Sequence, residues 1–333
     1  MISLTQNLTQ ETYEKVFSEW LAIANRRECG SIIHLPKRDQ LYRINAFIQS
    51  ETILKKYLKN YGQTQILTLD LTNQLIDDSY ELEKFLKTKI KSQSQKIILL
   101  VLDADKLIDE KISLISSLNS LYHQMPILSI LYFFGNNITY PTLAKKLSSY
   151  TTLYQNIQIF PYLTKKDGDY FIRYLEKKLS VHLSEKIIKE IIGKCGGIAW
   201  LIKEAVRQYS KTKNPIHIFN HDEMRIKISI LIDEFTHEEK KLLEKIIKKK
   251  FVFNLEEQAI VKYLLHSNTL IKINDQLRFY STLLEDSFRE QLSEKLKIAV
   301  VNNRDLYING VVMNNYFSKR EKNLLVYFIK NKG

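Results

Sequence analysis

The chain has 333 residues, long enough for two or three domains, and its 50 Lys and Arg against 37 Asp and Glu give a formal charge of +13 that favours polyanionic partners. A hydrophobic content of 44% fits a globular protein, and no stretch reaches the ~18 apolar residues of a membrane span, so no membrane partner is expected and the cytoplasm is the default compartment. The 9 glycines are few for an enzyme built on glycine-rich phosphate loops, and Cys29 and Cys195 have neither metal nor redox spacing.

Met1–Phe17 lacks the basic start and apolar run of a signal peptide. Patterning then predicts a helix over Gln10–Ala24, a strand over Ser31–Leu35, and a helix from about Asp39 to Tyr61. A strand Gln65–Leu71 and a helix near Ser79–Lys91 follow. The run Ile97–Leu102, six consecutive apolar residues, suits a strand buried on both faces, expected at the centre of the sheet with Asp103 at its carboxyl end. A helix near Asp109–His123, the strand Leu128–Phe134, a short helix after Pro141 and the strand Tyr154–Phe160 complete the series. Residues 1–160 therefore read as an α/β domain with a five-stranded, doubly wound parallel sheet.

Residues 161–213 change to a small helical lid. Thr164 is an N-cap, Phe171, Leu175 and Leu179 form one stripe, a second helix spans Ser184–Lys194, and a third covers Ala199–Tyr209 after Gly196-Gly197. Residues 214–292 give helices Thr236–Lys249 and Leu255–Leu265 and a hairpin around Asn274-Asp275, the outline of a winged helix, before a helix over Ser281–Leu292. Lys245–Lys250 is either a set of cations complementing a helix carboxyl end or a phosphate-contacting patch. Lys262 and His266 lie on the next helix, whose Glu256-Glu257 argues against base readout. The pair His217 and His221 lacks supporting ligands, so no metal is expected.

Across residues 10–290 this order resembles AAA+ and STAND-type ATPases, particularly the origin-recognition and archaeal-ATPase branch. The resemblance implies that Asp103 is the Mg²⁺-orienting aspartate, that Asn136 or Asn137 is the polar sensor, and that Arg207 is the lid arginine for a γ-phosphate. Ala104 stands where the family has its catalytic glutamate, and Asp105 is displaced from that position by one residue. A phosphate loop needs glycines to converge its N–H groups, a lysine for the β- and γ-phosphates, and a hydroxyl for Mg²⁺. Here the connector is Pro36-Lys37-Arg38-Asp39-Gln40, which places Asp39 at the lysine position and Gln40 at the hydroxyl. Lys37 and Arg38 offer charge without a cradle, so the expectation is an inactive scaffold with no cofactor, ATP and Mg²⁺ being the alternative.

Residues 293–333 hold a second resemblance. Asp305–Val312 reads as a hairpin turning at Asn309-Gly310, and Ser318-Lys319-Arg320-Glu321 opens a helix with a capping box. This is similar to the opening of the OmpR/PhoB-type winged-helix DNA-binding domain, which is expected to be incomplete because its recognition helix and wing do not follow before Gly333. Lys319, Arg320 and Lys322 are its candidate DNA contacts. The combined expectation is a transcriptional regulator or signal-type DNA-binding protein that contacts DNA weakly or non-specifically and can engage protein partners or itself. The alternatives are an ATP-binding AAA+/STAND ATPase with an unconventional phosphate site, and a protein-interaction scaffold with neither role.

Overall fold

The computed structural model describes residues 9–34, 40–74, 76, 78–90, 95–293, 298–301, 305–308, 311–312 and 318–330. The chain divides into two compact units, Met1–Thr282 and Leu283–Gly333.

The first unit is built on five parallel strands, β1 (Cys29–His34), β2 (Thr64–Asp70), β3 (Lys96–Leu102), β4 (Leu128–Phe134) and β5 (Ile157–Phe160), in the order β2-β3-β4-β1-β5. Ile97–Leu102 is buried on both faces as expected, but β4 is the central strand and β3 lies beside it. Apart from Lys96 at the start of β3 and Ser129 in β4, both strands are apolar because helices cover each side. On one face Leu99, Val101, Ile130 and Tyr132 join Leu82 and Leu86 of α4 (Ser79–Lys89) and Leu114, Ile115 and Leu118 of α6 (Ile112–Gln124) in one core. On the other, Trp20 of α1 (Gln10–Asn25) meets Phe133 at 5.1 Å and Phe47 of α2 (Gln40–Gln49) at 5.3 Å between ring centroids.

Departures from the sequence reading have local causes. The helix expected over Asp39–Tyr61 is split into α2 and α3 (Glu51–Tyr57), because the Ser50 hydroxyl donates to the Ala46 carbonyl at 2.5 Å and ends the first ladder. A short α5 (Asp105–Asp109) precedes α6, and β5 is shortened at its start by a 3₁₀ turn over Thr151–Tyr154.

After α7 (Pro141–Lys146) and β5 come the lid helices α8 (Lys165–Leu179), α9 (Glu185–Cys195) and α10 (Ala199–Thr212). Thr164 does cap α8, accepting the Asp167 N–H. The turn between α9 and α10 lies against the backbone leaving β5: Gly197 accepts the Leu163 N–H at 2.8 Å, and a Cβ on Gly197 would fall onto the Leu163 carbonyl oxygen. Next are α11 (Asp222–Asp233), α12 (His237–Ile247), α13 (Leu255–His266) and an antiparallel hairpin of β6 (Leu270–Ile273) and β7 (Gln276–Phe279). Asn274 and Asp275 both take positive φ, 49° and 62°, as a tight two-residue hairpin turn requires. Helix α11 was not foreseen because exposed Ile226 and Ile230 blur the stripe that buries Met224, Ile228, Leu231 and Ile232.

Long-range polar contacts unite these parts. Buried Asp167 accepts the Thr9 N–H at 3.0 Å and the Thr9 hydroxyl at 2.9 Å. Tyr162 donates its N–H to Ser267 O at 3.0 Å and accepts from the Asn268 amide at 3.1 Å.

In the second unit α14 (Thr282–Ser293) precedes a three-stranded antiparallel sheet of β8 (Ile298–Val301), β9 (Asp305–Ile308) and β10 (Val311–Val312). Strand β8 was not read from the sequence. Helix α15 (Lys319–Lys330) opens with the expected reciprocal cap: the Ser318 N–H reaches Glu321 Oε2 at 2.9 Å, and the Glu321 N–H reaches the Ser318 hydroxyl at 3.3 Å.

Candidate functional site

Parallel strands bring their carboxyl ends to one edge, where open α/β sheets take ligands. Asp103, just beyond β3, is half-buried and turns the chain through a positive φ of 50°. Its carboxylate accepts the Thr72 hydroxyl. Thr72 is in turn set by Asp70, which accepts the Thr72 N–H at 2.9 Å and the Asn73 N–H at 3.2 Å. Ala104 is fully buried and donates its N–H to Phe133 O at 2.9 Å. A general base placed directly after Asp103 is therefore absent, since Ala104 has no titratable group.

Asp105 is only 2% exposed and is engaged by main-chain groups. Its two oxygens accept the N–H groups of Gly135 at 2.6 Å and Asn136 at 3.0 Å, fixing the loop after β4. The same loop continues through Asn137, which is buried and accepts the Thr139 N–H at 3.0 Å and the Thr139 hydroxyl at 2.8 Å. Tyr140 then donates to Glu239 Oε1 of α12 at 2.6 Å and meets the Tyr263 ring edge-on at 5.6 Å. Burial raises the Glu239 carboxyl above its ordinary value, although the Tyr140 and Thr236 hydrogen bonds oppose that rise. Asn136 lines a cavity of about 10 Å³, room for about one water, closed by Tyr162, Phe235, Glu239 and Tyr263.

At the end of β1, the buried His34 ring stacks on Phe160 at 5.1 Å. The guanidinium carbon of Arg43 lies 3.9 Å from the same ring, and Arg43 is 1% exposed. Arg43 was not singled out from the sequence, although one arginine among the apolar positions of α2 was the available signal. Lys37, Arg38 and Asp39 fall outside the described residues.

Arg207 is tied within the lid and its neighbour α11. It donates from Nε at 3.1 Å and Nη2 at 2.8 Å to Glu204, with Glu223 4.0 Å away. Burial pushes the Glu204 carboxyl up, but hydrogen bonds from Arg207, Lys227 and Gln208 outweigh it and bring it to about 2. Arg207 thus has carboxylate partners of its own in Glu204 and Glu223. Of the candidate DNA contacts on α15, Arg320 is exposed and Lys322 half-buried, while the Lys319 side chain falls outside the described residues. Cys29 and Cys195 are buried and unbridged, and burial pushes the Cys29 thiol up to about 12.

No family model matches the chain, and no curated protein matches it by sequence. Its fold is similar to that of a Walker-type ATPase of Pyrococcus abyssi, with 11% identity and a TM-score of 0.54 over 83% of this chain and 95% of that one. The RuvB Holliday junction branch migration motor of Thermotoga maritima gives a TM-score of 0.45 at 14% identity, covering 86% of this chain and 95% of the other. The ORC1 protein of Aeropyrum pernix in complex with DNA gives 0.45 at 10% identity, covering 86% and 93% respectively. These last two likenesses are too distant to inform function. Neither resemblance to a DNA-binding winged helix nor transcriptional control gains support from the neighbours. What the first likeness establishes is the fold alone, a five-stranded parallel α/β sheet flanked by helices.

Proposed function

We propose that the chain is an AAA+-type nucleotide-binding module that takes ATP with Mg²⁺ weakly and does not turn it over. The observation that supports this reading is the parallel strand order, in which Asp103 follows β3, Asn136 follows β4, and β1 and α2 end and begin on the same carboxyl edge. Likeness in fold to a Walker-type ATPase supports it. In this reading Asp103 orients Mg²⁺, Lys37 and Arg38 supply charge to the phosphates, and Asp39 weakens the site by repulsion. Ala104 in the base position and the engagement of Asp105 by Gly135 and Asn136 support the absence of turnover. Titration of the full chain should give saturable Mg²⁺-dependent ATP binding near ~1 mM, about −4 kcal/mol, weakened by Asp103→Ala. Phosphate release should equal the buffer control. Failure to saturate, or phosphate release abolished by Asp103→Ala, would refute the proposal.

A second reading, contact with DNA phosphates without base discrimination, is favoured by the second unit. Its small antiparallel sheet leads into a capped helix bearing exposed Arg320, the order that the OmpR/PhoB-type resemblance implied, in a chain of charge +13. Gel shifts should show weak binding that collapses as salt rises from about 50 to 200 mM. Salt-resistant preference for one duplex would contradict it.

A further inference from the structure

The segment joining α12 to α13 presents three apolar side chains to solvent: Phe251 is 43% exposed, Val252 89% and Leu255 83%. Lys248, Lys249 and Lys250 stand immediately before them, all exposed. This tip is held at both ends. Lys249 takes a positive φ of 56°, and the Lys250 N–H closes back on Lys245 O at 2.9 Å, ending α12 in a left-handed cap. Asn254 and Glu257 form a reciprocal capping box that starts α13. The apolar groups are therefore displayed by ordered backbone, not by a frayed end.

Helix-dipole complementation explains the lysines but not the aliphatic groups beyond them. Nucleic acid suits the lysines, yet phosphates and base edges give Val252 and Leu255 nothing apolar to enter. A protein groove that accepts a helix reads a stripe at positions three and four apart. Here Phe251 and Val252 lie before the helix and Leu255 on its first turn, forming a point and not a stripe. A point of apolar side chains behind which cations gather matches the boundary of an anionic bilayer, where chains enter the acyl region and ammonium groups stay among the headgroups. Lys245 pairs with Glu257, so that acidic residue is neutralised beside the tip. We infer that residues 248–255 form a docking tip for anionic lipid surfaces. The sequence excluded a spanning segment, and among the described residues no helix is long and apolar enough to cross a membrane. Surface docking requires neither.

The test is flotation of the full chain with vesicles of phosphatidylcholine alone and with about 30 mol% phosphatidylserine added. The chain should float with the anionic vesicles only, and added salt to about 0.5 M should release most of it. Val252→Asp with Leu255→Asp alters two exposed positions and should cut flotation at least ~10-fold, about 1.4 kcal/mol, while the melting curve stays unchanged. Lys248→Gln with Lys250→Gln should reduce it without removing the apolar tip. The inference is overturned if the native chain does not float, if it floats equally with neutral vesicles, or if the double aspartate variant floats as well as the native chain. It is also overturned if that variant loses DNA binding or self-association while vesicle binding was never present.

Discussion

At Asp105 a buried carboxylate accepts two main-chain N–H groups, from the half-buried Gly135 and Asn136. Asp105→Ala strands both donors and should cost about 3 kcal/mol, read as a lower urea midpoint at unchanged slope. Asp105→Asn keeps one acceptor and should cost less. Asp103→Gly, two positions earlier, relieves a positive φ of 50° at the expense of the Thr72 contact, so stability should change by under about 1 kcal/mol. A large loss there with none at Asp105 would reverse the roles given to the two aspartates. The sequence already marked Asp103, because an aspartate ending an apolar run is visible locally. Asp105's role was not legible, because its partners lie 30 and 31 residues away and become neighbours only when β3 and β4 pair.

Among elements, the turn between α9 and α10 is the tightest packing point described above. A methyl at Gly197 would overlap the Leu163 carbonyl and come within 2.7 Å of its nitrogen, both backbone atoms with no side-chain freedom to retreat. Gly197→Ala should therefore lower stability by about 3 kcal/mol or more. Gly193, inside α9, has nothing within 4 Å of its would-be Cβ, so Gly193→Ala should gain about 0.5–1 kcal/mol. Thermal melts of the two variants check the pair, and equal effects would mean that the contact is relieved by rearrangement. The five strands were readable because β3 and β4 are apolar but for Lys96 and Ser129, and the others are bounded by polar turns. The break at Ser50 and helix α11 were not. One depends on a side chain competing for a carbonyl, and the other carries apolar residues on its exposed face as well as its buried one.

Over the whole molecule, two buried glutamates give opposite responses to acid. Glu204 titrates at about 2, below its ordinary 4.5, so the stability it contributes is full above pH 4.5 and is lost as pH falls toward 2. Glu239 is raised, so its burial penalty is full above its folded value and disappears below 4.5. Urea midpoints between about pH 3 and pH 7 separate them. The advantage of the native chain over Glu204→Gln should shrink on acidification, whereas its standing against Glu239→Gln should improve. The reverse ordering would show that the two carboxylates are not in the environments described.

The loop from Gly135 to Tyr140 is stapled at one end to the start of α5 by Asp105 and at the other to α12 by Glu239. If a ligand of the kind proposed displaces Asn136, it works against both carboxylates, which would link occupancy at the sheet edge to the seating of α12 and α13. Such linkage is reciprocal: whatever factor the ligand imposes on a partner of α12 and α13, that partner imposes on the ligand. Under the proposed function such a molecule would be an equilibrium relay, reporting occupancy from one end to the other without consuming anything.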